Sequence, residues 1–115
     1  LVETFDFAGP PAVVYDLIVG TPAGDRLYGS DAPDQILGLA GNDRLYGSGG
    51  TDWIEGEEGS DRLYGEAGDD LLDGGVGNDS LSGDAGDDQI SGNAGDDTIN
   101  GDDGNDQQDS PCCKR

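Results

Sequence analysis

Aspartate stands at every ninth position without a miss, at Asp25, Asp34, Asp43, Asp52, Asp61, Asp70, Asp79, Asp88, Asp97 and Asp106. Glycine keeps the same beat five residues earlier, from Gly20 to Gly101. Leu or Ile follows each aspartate by two residues, from Leu27 to Ile99, until Gln108 breaks the series. A solvated acidic coil has no reason to hold three residue types in phase. The pattern requires one short unit stacked many times, each unit delivering a carboxylate to an equivalent place.

Composition says what such a stack must overcome. The chain has 115 residues, only 32% of them apolar, with 22 glycines and a formal net charge of -21. So little apolar surface and so much self-repulsion do not by themselves offset the entropy of ordering a glycine-rich chain. Small chains in this position rely on disulfides, metal or oligomerisation. Cys112 and Cys113 are adjacent and outside the repeats, so no disulfide framework is available, and metal remains as the internal staple. The same charge argues against nucleic acid and anionic membrane surfaces as partners. No apolar run approaches the length of a membrane span, so no direct membrane insertion is expected, and residues 1–20 do not show the basic-then-apolar pattern of a signal peptide. Because it begins at Leu1, we expect a fragment or processed piece of a longer protein.

The repeats occupy residues 20–109 as ten nonads, each opening with Gly and carrying Asp at the sixth place and, up to Gln108, Leu or Ile at the eighth. The fourth place is Gly from Gly41 to Gly104, but Ala23 and Ala32 in the first two units, which also contain Pro22 and Pro33. An irregular start is expected there. Residues 11–19 keep phase weakly through Asp16 and Ile18 and read as a degenerate capping repeat. Residues 1–10 read as a linker or the end of an upstream domain, and 110–115 as an unstructured tail.

A second period lies over the first. The string DRLYG recurs at 25–29, 43–47 and 61–65, eighteen residues apart. Two nonads therefore make one turn, and residues eighteen apart sit above one another. In each nonad the glycine-rich part reads as a turn and the x-Leu-x part as a very short strand. Alternation sends the Leu or Ile inward and its neighbours outward. Leu45 is then expected between Leu27 and Leu63, with Ile36 and Ile54 in an opposite sheet, and Arg26, Arg44 and Arg62 beside Tyr28, Tyr46 and Tyr64 outside. Those outer ladders could be a carbohydrate or partner surface, but cross-strand packing is the simpler reading. Trp53 is expected alone on the other face. Asp69, Asp87 and Asp96 read as turn-forming or outer-sphere acids rather than additional ligands.

The chemistry of the stack points to a hard cation. Its recurring donors are aspartate oxygens and turn carbonyls, and the chain has no His, so calcium suits it better than zinc or copper. The turn pairs Asp25 with Asp43, Asp34 with Asp52, and so on to Asp88 with Asp106, eight pairs in all. Eight dications would bring the net charge of -21 to about -5.

Units such as GLAGNDRLY (38–46), GGVGNDSLS (74–82) and GDAGDDQIS (83–91) resemble the hemolysin-type, or RTX, calcium-binding repeat, whose pattern is G-G-x-G-x-D-x-U-x. The resemblance implies an all-β parallel β-roll, a right-handed solenoid with two nonads per turn and up to about eight calcium ions between turns. It implies that carbonyls from the second and fourth places of one turn, and the first and third of the next, join the aspartates. The fourth-place set comprises Gly41, Gly50, Gly59, Gly68, Gly77 and Gly86. Between 56–64 and 74–82 the donors would be Glu57, Gly59, Asp61, Gly74, Val76 and Asp79. Each inner aspartate would bridge two ions with both carboxylate oxygens. Local departures are a second place that is often not Gly and two poor opening units.

The resemblance further implies a monomeric, non-catalytic, calcium-dependent folding module of a secreted bacterial protein, with a fused catalytic or adhesive domain elsewhere in that protein. A structural or adhesive spacer repeat of a cell-surface protein is the alternative. An enzyme in its own right is disfavoured, since there is no His and the carboxylates repeat too uniformly to form one acid–base pair. The sequence SPCCKR does not resemble the family's C-terminal export signal, so export by this chain alone is not expected.

Overall fold

The computed structural model describes residues 15–109. The expected linker 1–10, the tail 110–115 with its two cysteines, and the first residues of the 11–19 unit lie outside them. Within the described residues every regular element is a strand. The strands are β1 (Asp16–Val19), β2 (Arg26–Tyr28), β3 (Asp34–Leu37), β4 (Arg44–Tyr46), β5 (Trp53–Glu55) and β6 (Arg62–Tyr64). They continue as β7 (Leu71–Asp73), β8 (Ser80–Ser82), β9 (Gln89–Ser91), β10 (Thr98–Asn100) and β11 (Gln107–Asp109).

Odd-numbered strands form one sheet in the order β1-β3-β5-β7-β9-β11, and even-numbered strands form the other, β2-β4-β6-β8-β10. Each strand pairs in parallel with the one a full turn away, so Leu27 lies beside Leu45 and Leu45 beside Leu63. Ile36 pairs with Ile54, and Ile54 with Leu72, in the opposite sheet. The chain is a parallel β-roll with two nonads per turn. The reason is steric economy. A nonad offers three extended residues around one apolar side chain, enough for a short rung but not for a hairpin.

The core is correspondingly thin, one aliphatic side chain per rung. Ile36, Leu45, Ile54, Leu63, Leu72, Leu81 and Ile90 are buried, and Ile18, Leu27 and Ile99 extend the column at its ends. Gln108 continues the register against Ile90 without an apolar side chain to bury.

Outside the even sheet the rings of Tyr28, Tyr46 and Tyr64 stack with centroids 4.9 Å apart and planes within 9° of parallel. That spacing is the strand separation, so the ladder follows from the fold. Trp53 is not alone on the odd sheet: Tyr15 meets it edge to face at 6.4 Å.

The turns fall into two kinds. From the third nonad onward the second place is left-handed, at Leu39 (74°), Ser48 (74°), Glu57 (78°), Glu66 (71°), Asp84 (66°), Asn93 (65°) and Asp102 (63°). The fourth-place glycines are left-handed as well. Thr21, Ala23, Ser30 and Ala32, at the same places in the first two units, are not. The irregular opening read from Pro22, Ala23, Ala32 and Pro33 is therefore a different backbone.

Candidate metal centre

The sixth-place aspartates form two buried columns, one on each side of the roll. Asp34, Asp43, Asp52, Asp61, Asp70, Asp79 and Asp88 are each at most 3% exposed. Such burial of carboxylates needs partners, and one is supplied by the stack itself. The amide of Asp43 donates to Oδ1 of Asp61 (2.8 Å), and that of Asp61 to Oδ1 of Asp79 (2.8 Å). The other column repeats this from Asp52 to Asp70 and from Asp70 to Asp88, both at 2.8 Å. The series opens with Asp25 to Asp43 and Asp34 to Asp52, and closes with Asp79 to Asp97 and Asp88 to Asp106. Without it each buried amide at the turn-to-strand junction would lack an acceptor.

The second oxygen is different. Oδ2 of Asp43, Asp52, Asp61, Asp70, Asp79, Asp88 and Asp97 is buried and accepts no hydrogen bond. An anionic oxygen withdrawn from water without a donor is costly, and the carboxyl groups register it. Desolvation pushes Asp70 up to about 8 and Asp79 to about 7, against an ordinary 3.8. It pushes Asp52, Asp61 and Asp88 to about 6. Asp43 and Asp97 are raised in the same direction. The amide bonds to Oδ1 oppose the rise, while the next carboxylate along the column adds to it in Asp43, Asp52, Asp61, Asp70, Asp79 and Asp88. Proton or cation must meet these oxygens.

The bridging mode implied by the sequence resemblance uses both carboxylate oxygens of each inner aspartate, and in the roll the two oxygens differ. Oδ1 is held by an amide and Oδ2 is open. Carbonyls show a similar division. The second-place carbonyl of Glu57 accepts from the amide of Val76 (2.8 Å), and the third-place carbonyl of Val76 from that of Gly59 (3.0 Å). The fourth-place carbonyls of Gly41, Gly50, Gly59, Gly68, Gly77 and Gly86 point along the stack at the next turn's fourth-place glycine. Any side chain on Gly59, Gly68, Gly77, Gly86, Gly95 or Gly104 would strike one of these oxygens. Glycine is needed there for the approach as much as for its φ.

Asp25 and Asp34 sit in the same columns with different partners. Oδ2 of Asp25 accepts the amide (2.6 Å) and hydroxyl (3.1 Å) of Thr21, and Oδ2 of Asp34 the amide (2.6 Å) and hydroxyl (3.3 Å) of Ser30. Asp106 is half-buried at the far end. The fifth-place residues also act in the turns. Asn42, Asp69, Asn78 and Asp87 accept the amides of Ser60, Asp87, Asp96 and Asn105. For Asp69 and Asp87 this agrees with their reading as turn-forming acids. The hydroxyl bonds of Thr21 and Ser30 were not read from the sequence. The available signal was a Ser or Thr two residues before Ala, the pattern of a hydroxyl-closed turn.

Among the described residues no three carboxylate, imidazole or thiolate groups converge on one point. The geometry offers pairs of carboxylates one turn apart, completed by carbonyl oxygens. This donor set is oxygen only, which fits a hard cation of high and flexible coordination number. An open groove of about 460 Å³ runs outside the even column, lined by Asn42, Asp43, Arg44, Ser60, Asp61 and Arg62 and continuing past Asn78 and Asp79.

Comparison with curated proteins and with solved structures finds no match. A family model of four copies of the RTX calcium-binding nonapeptide repeat matches residues 19–54, 46–81 and 73–108. Those spans cover most of the chain and carry the aspartate columns, and the chain belongs to the RTX calcium-binding nonapeptide repeat family.

Proposed function

We propose that this chain is a calcium-dependent folding module of a secreted protein, with no chemistry of its own. The observation that carries the reading is the row of seven buried aspartate oxygens without a donor. Calcium held between successive turns would meet these oxygens together with the fourth-place carbonyls of Gly41, Gly50, Gly59, Gly68, Gly77 and Gly86. Bound there, the ion supplies positive charge and no reaction step. The protein's own contribution is to space the carboxylates one turn apart, exclude water from them and hold Oδ1 through the neighbouring amide. Since the unfolded chain has no such columns, binding energy becomes folding energy.

Extracellular modules bind calcium in the range of roughly 10⁻⁴–10⁻³ M. Sites of that strength stay empty where free calcium is scarce and fill outside the cell, so the chain would be expanded before export and ordered after it. The family's association with secreted bacterial proteins supports this setting, and no helix among the described residues is long and apolar enough to cross a membrane. The test is calorimetric titration of the chelated chain with calcium and then with magnesium. Cooperative calcium uptake coupled to β-structure formation is expected, with magnesium much weaker because it demands tight octahedral geometry. Equal responses to the two ions would exclude the reading.

A further inference from the structure

The two aspartate columns do not start as they continue. At Asp43 through Asp97 in both columns, Oδ2 is buried without a donor. At Asp25 and Asp34 the same oxygen is already satisfied from within its own turn. Thr21 donates both its amide and its hydroxyl to Asp25, and its hydroxyl oxygen accepts the amide of Ala23 (3.2 Å). Ser30 does the same for Asp34, accepting the amide of Ala32 at 3.1 Å. Side chain and backbone thus close a small hydroxyl-centred turn around each carboxylate.

Two further differences fall on the same units. The left-handed second and fourth places that characterise the later turns are missing at Thr21, Ala23, Ser30 and Ala32. In the later turns the carbonyl oxygen of the fourth place is the atom that faces the next turn's glycine. At Gly41 and Gly50 the preceding carbonyl of Ala23 or Ala32 instead presents its carbon as close as its oxygen, 2.6 against 2.7 Å and 2.9 against 2.9 Å from where a Cβ on that glycine would stand. The first turn therefore lacks the open carboxylate oxygen and the directed carbonyl together.

We infer that residues 20–37 are a metal-free cap of the roll, in which N–H and O–H donors of Thr21 and Ser30 take the place at Asp25 and Asp34 that calcium takes at the later aspartates. The pairs Asp25–Asp43 and Asp34–Asp52 then hold no ion. Six of the eight column pairs remain, starting at Asp43–Asp61 and Asp52–Asp70.

The inference rests on the calcium reading above, and the experiment separates the two. Bound calcium per chain is counted by equilibrium dialysis at saturating calcium, for the whole chain and for Asp25→Asn/Asp34→Asn. Asp61→Asn serves as the internal control, and Thr21→Val/Ser30→Ala tests the hydroxyls. The cap predicts about six ions for the whole chain. It predicts the same number in both first-turn variants, with a lower Tm of the calcium-loaded Thr21→Val/Ser30→Ala protein. Asp61→Asn should lose ions. About eight ions in the whole chain, or fewer ions in Asp25→Asn/Asp34→Asn than in the parent, would overturn the cap while leaving calcium binding intact. A parent chain that takes up no calcium overturns both. Should the aspartate variant fail to fold, the parent count and the hydroxyl variant still decide.

Discussion

At the scale of single residues, one nonad position works under strain and another under a steric ban. The second place is left-handed yet filled by Leu39, Ser48, Glu57 and Glu66, none of which prefers that region. Only Gly75 meets the requirement without cost. Glu66→Gly should therefore stabilise the calcium-loaded roll by about 1 kcal/mol, read as a rise in Tm. A neutral or lower Tm would show that the Glu66 side chain does something beyond occupying the turn. At the fourth place the sign reverses. Gly59→Ala would drive a methyl into the Gly41 carbonyl, besides requiring a positive φ from alanine. It should cost more than about 1 kcal/mol and weaken calcium binding as well, because that carbonyl is a proposed donor. Normal affinity in Gly59→Ala would remove Gly41 from the ligand set.

At the scale of elements, a three-residue rung contributes one buried aliphatic, so the rungs are individually weak and nearly interchangeable. Leu63→Ala should cost about 2–5 kcal/mol as a cavity opens between Leu45 and Leu81. Gln108→Leu should do the opposite, adding about 1 kcal/mol by extending the column past Ile90. Urea or thermal melts of the calcium-loaded variants check both. The strands and their order were legible in the sequence because repetition supplied the missing statistics. A single x-Leu-x triplet is too short to diagnose, but DRLYG at three positions eighteen apart fixes the period, and the pairing of Leu27, Leu45 and Leu63 follows from it. The partners of each aspartate were less legible. One letter stands for a carboxylate with an open oxygen at Asp61 and for one satisfied by Thr21 at Asp25. The difference is made by neighbouring backbone angles and hydroxyls, which the sequence encodes through Pro22, Pro33, Thr21 and Ser30 and through Ala23 and Ala32 standing where Gly is usual. The engagement of Oδ1 by the amide one turn below was equally hidden, since it depends on the register of a stacked turn and not on any residue type.

At the scale of the whole molecule, the charge of -21 and the buried columns set a conflict that proton or metal must resolve. Without metal, the folded-state values of Asp52, Asp61 and Asp88 near 6, Asp79 near 7 and Asp70 near 8 exceed the ordinary 3.8. The folded chain then binds more protons than the unfolded chain between about pH 4 and 8, so its stability falls as pH rises through that window. In chelator, β-structure should be greater near pH 5 than near pH 8, as followed by circular dichroism. Calcium uptake near pH 6–7 should release protons, seen as a dependence of the calorimetric heat on buffer ionisation enthalpy. A chelated chain that gains order as pH rises would contradict the assigned environment of the columns.

The central claim, that cations between the turns hold this acidic stack together, is tested most directly by small-angle scattering on one sample at neutral pH. The chain is measured first in chelator and then in millimolar calcium, and finally after chelator is restored. The calcium-loaded chain should approach the 14.3 Å radius of gyration of the roll. The chelated chain should expand toward the roughly 30 Å of an unfolded chain of about 100 residues, and the change should reverse fully. A chelated chain that keeps the compact radius at neutral pH would show that the roll stands without metal, contradicting the account.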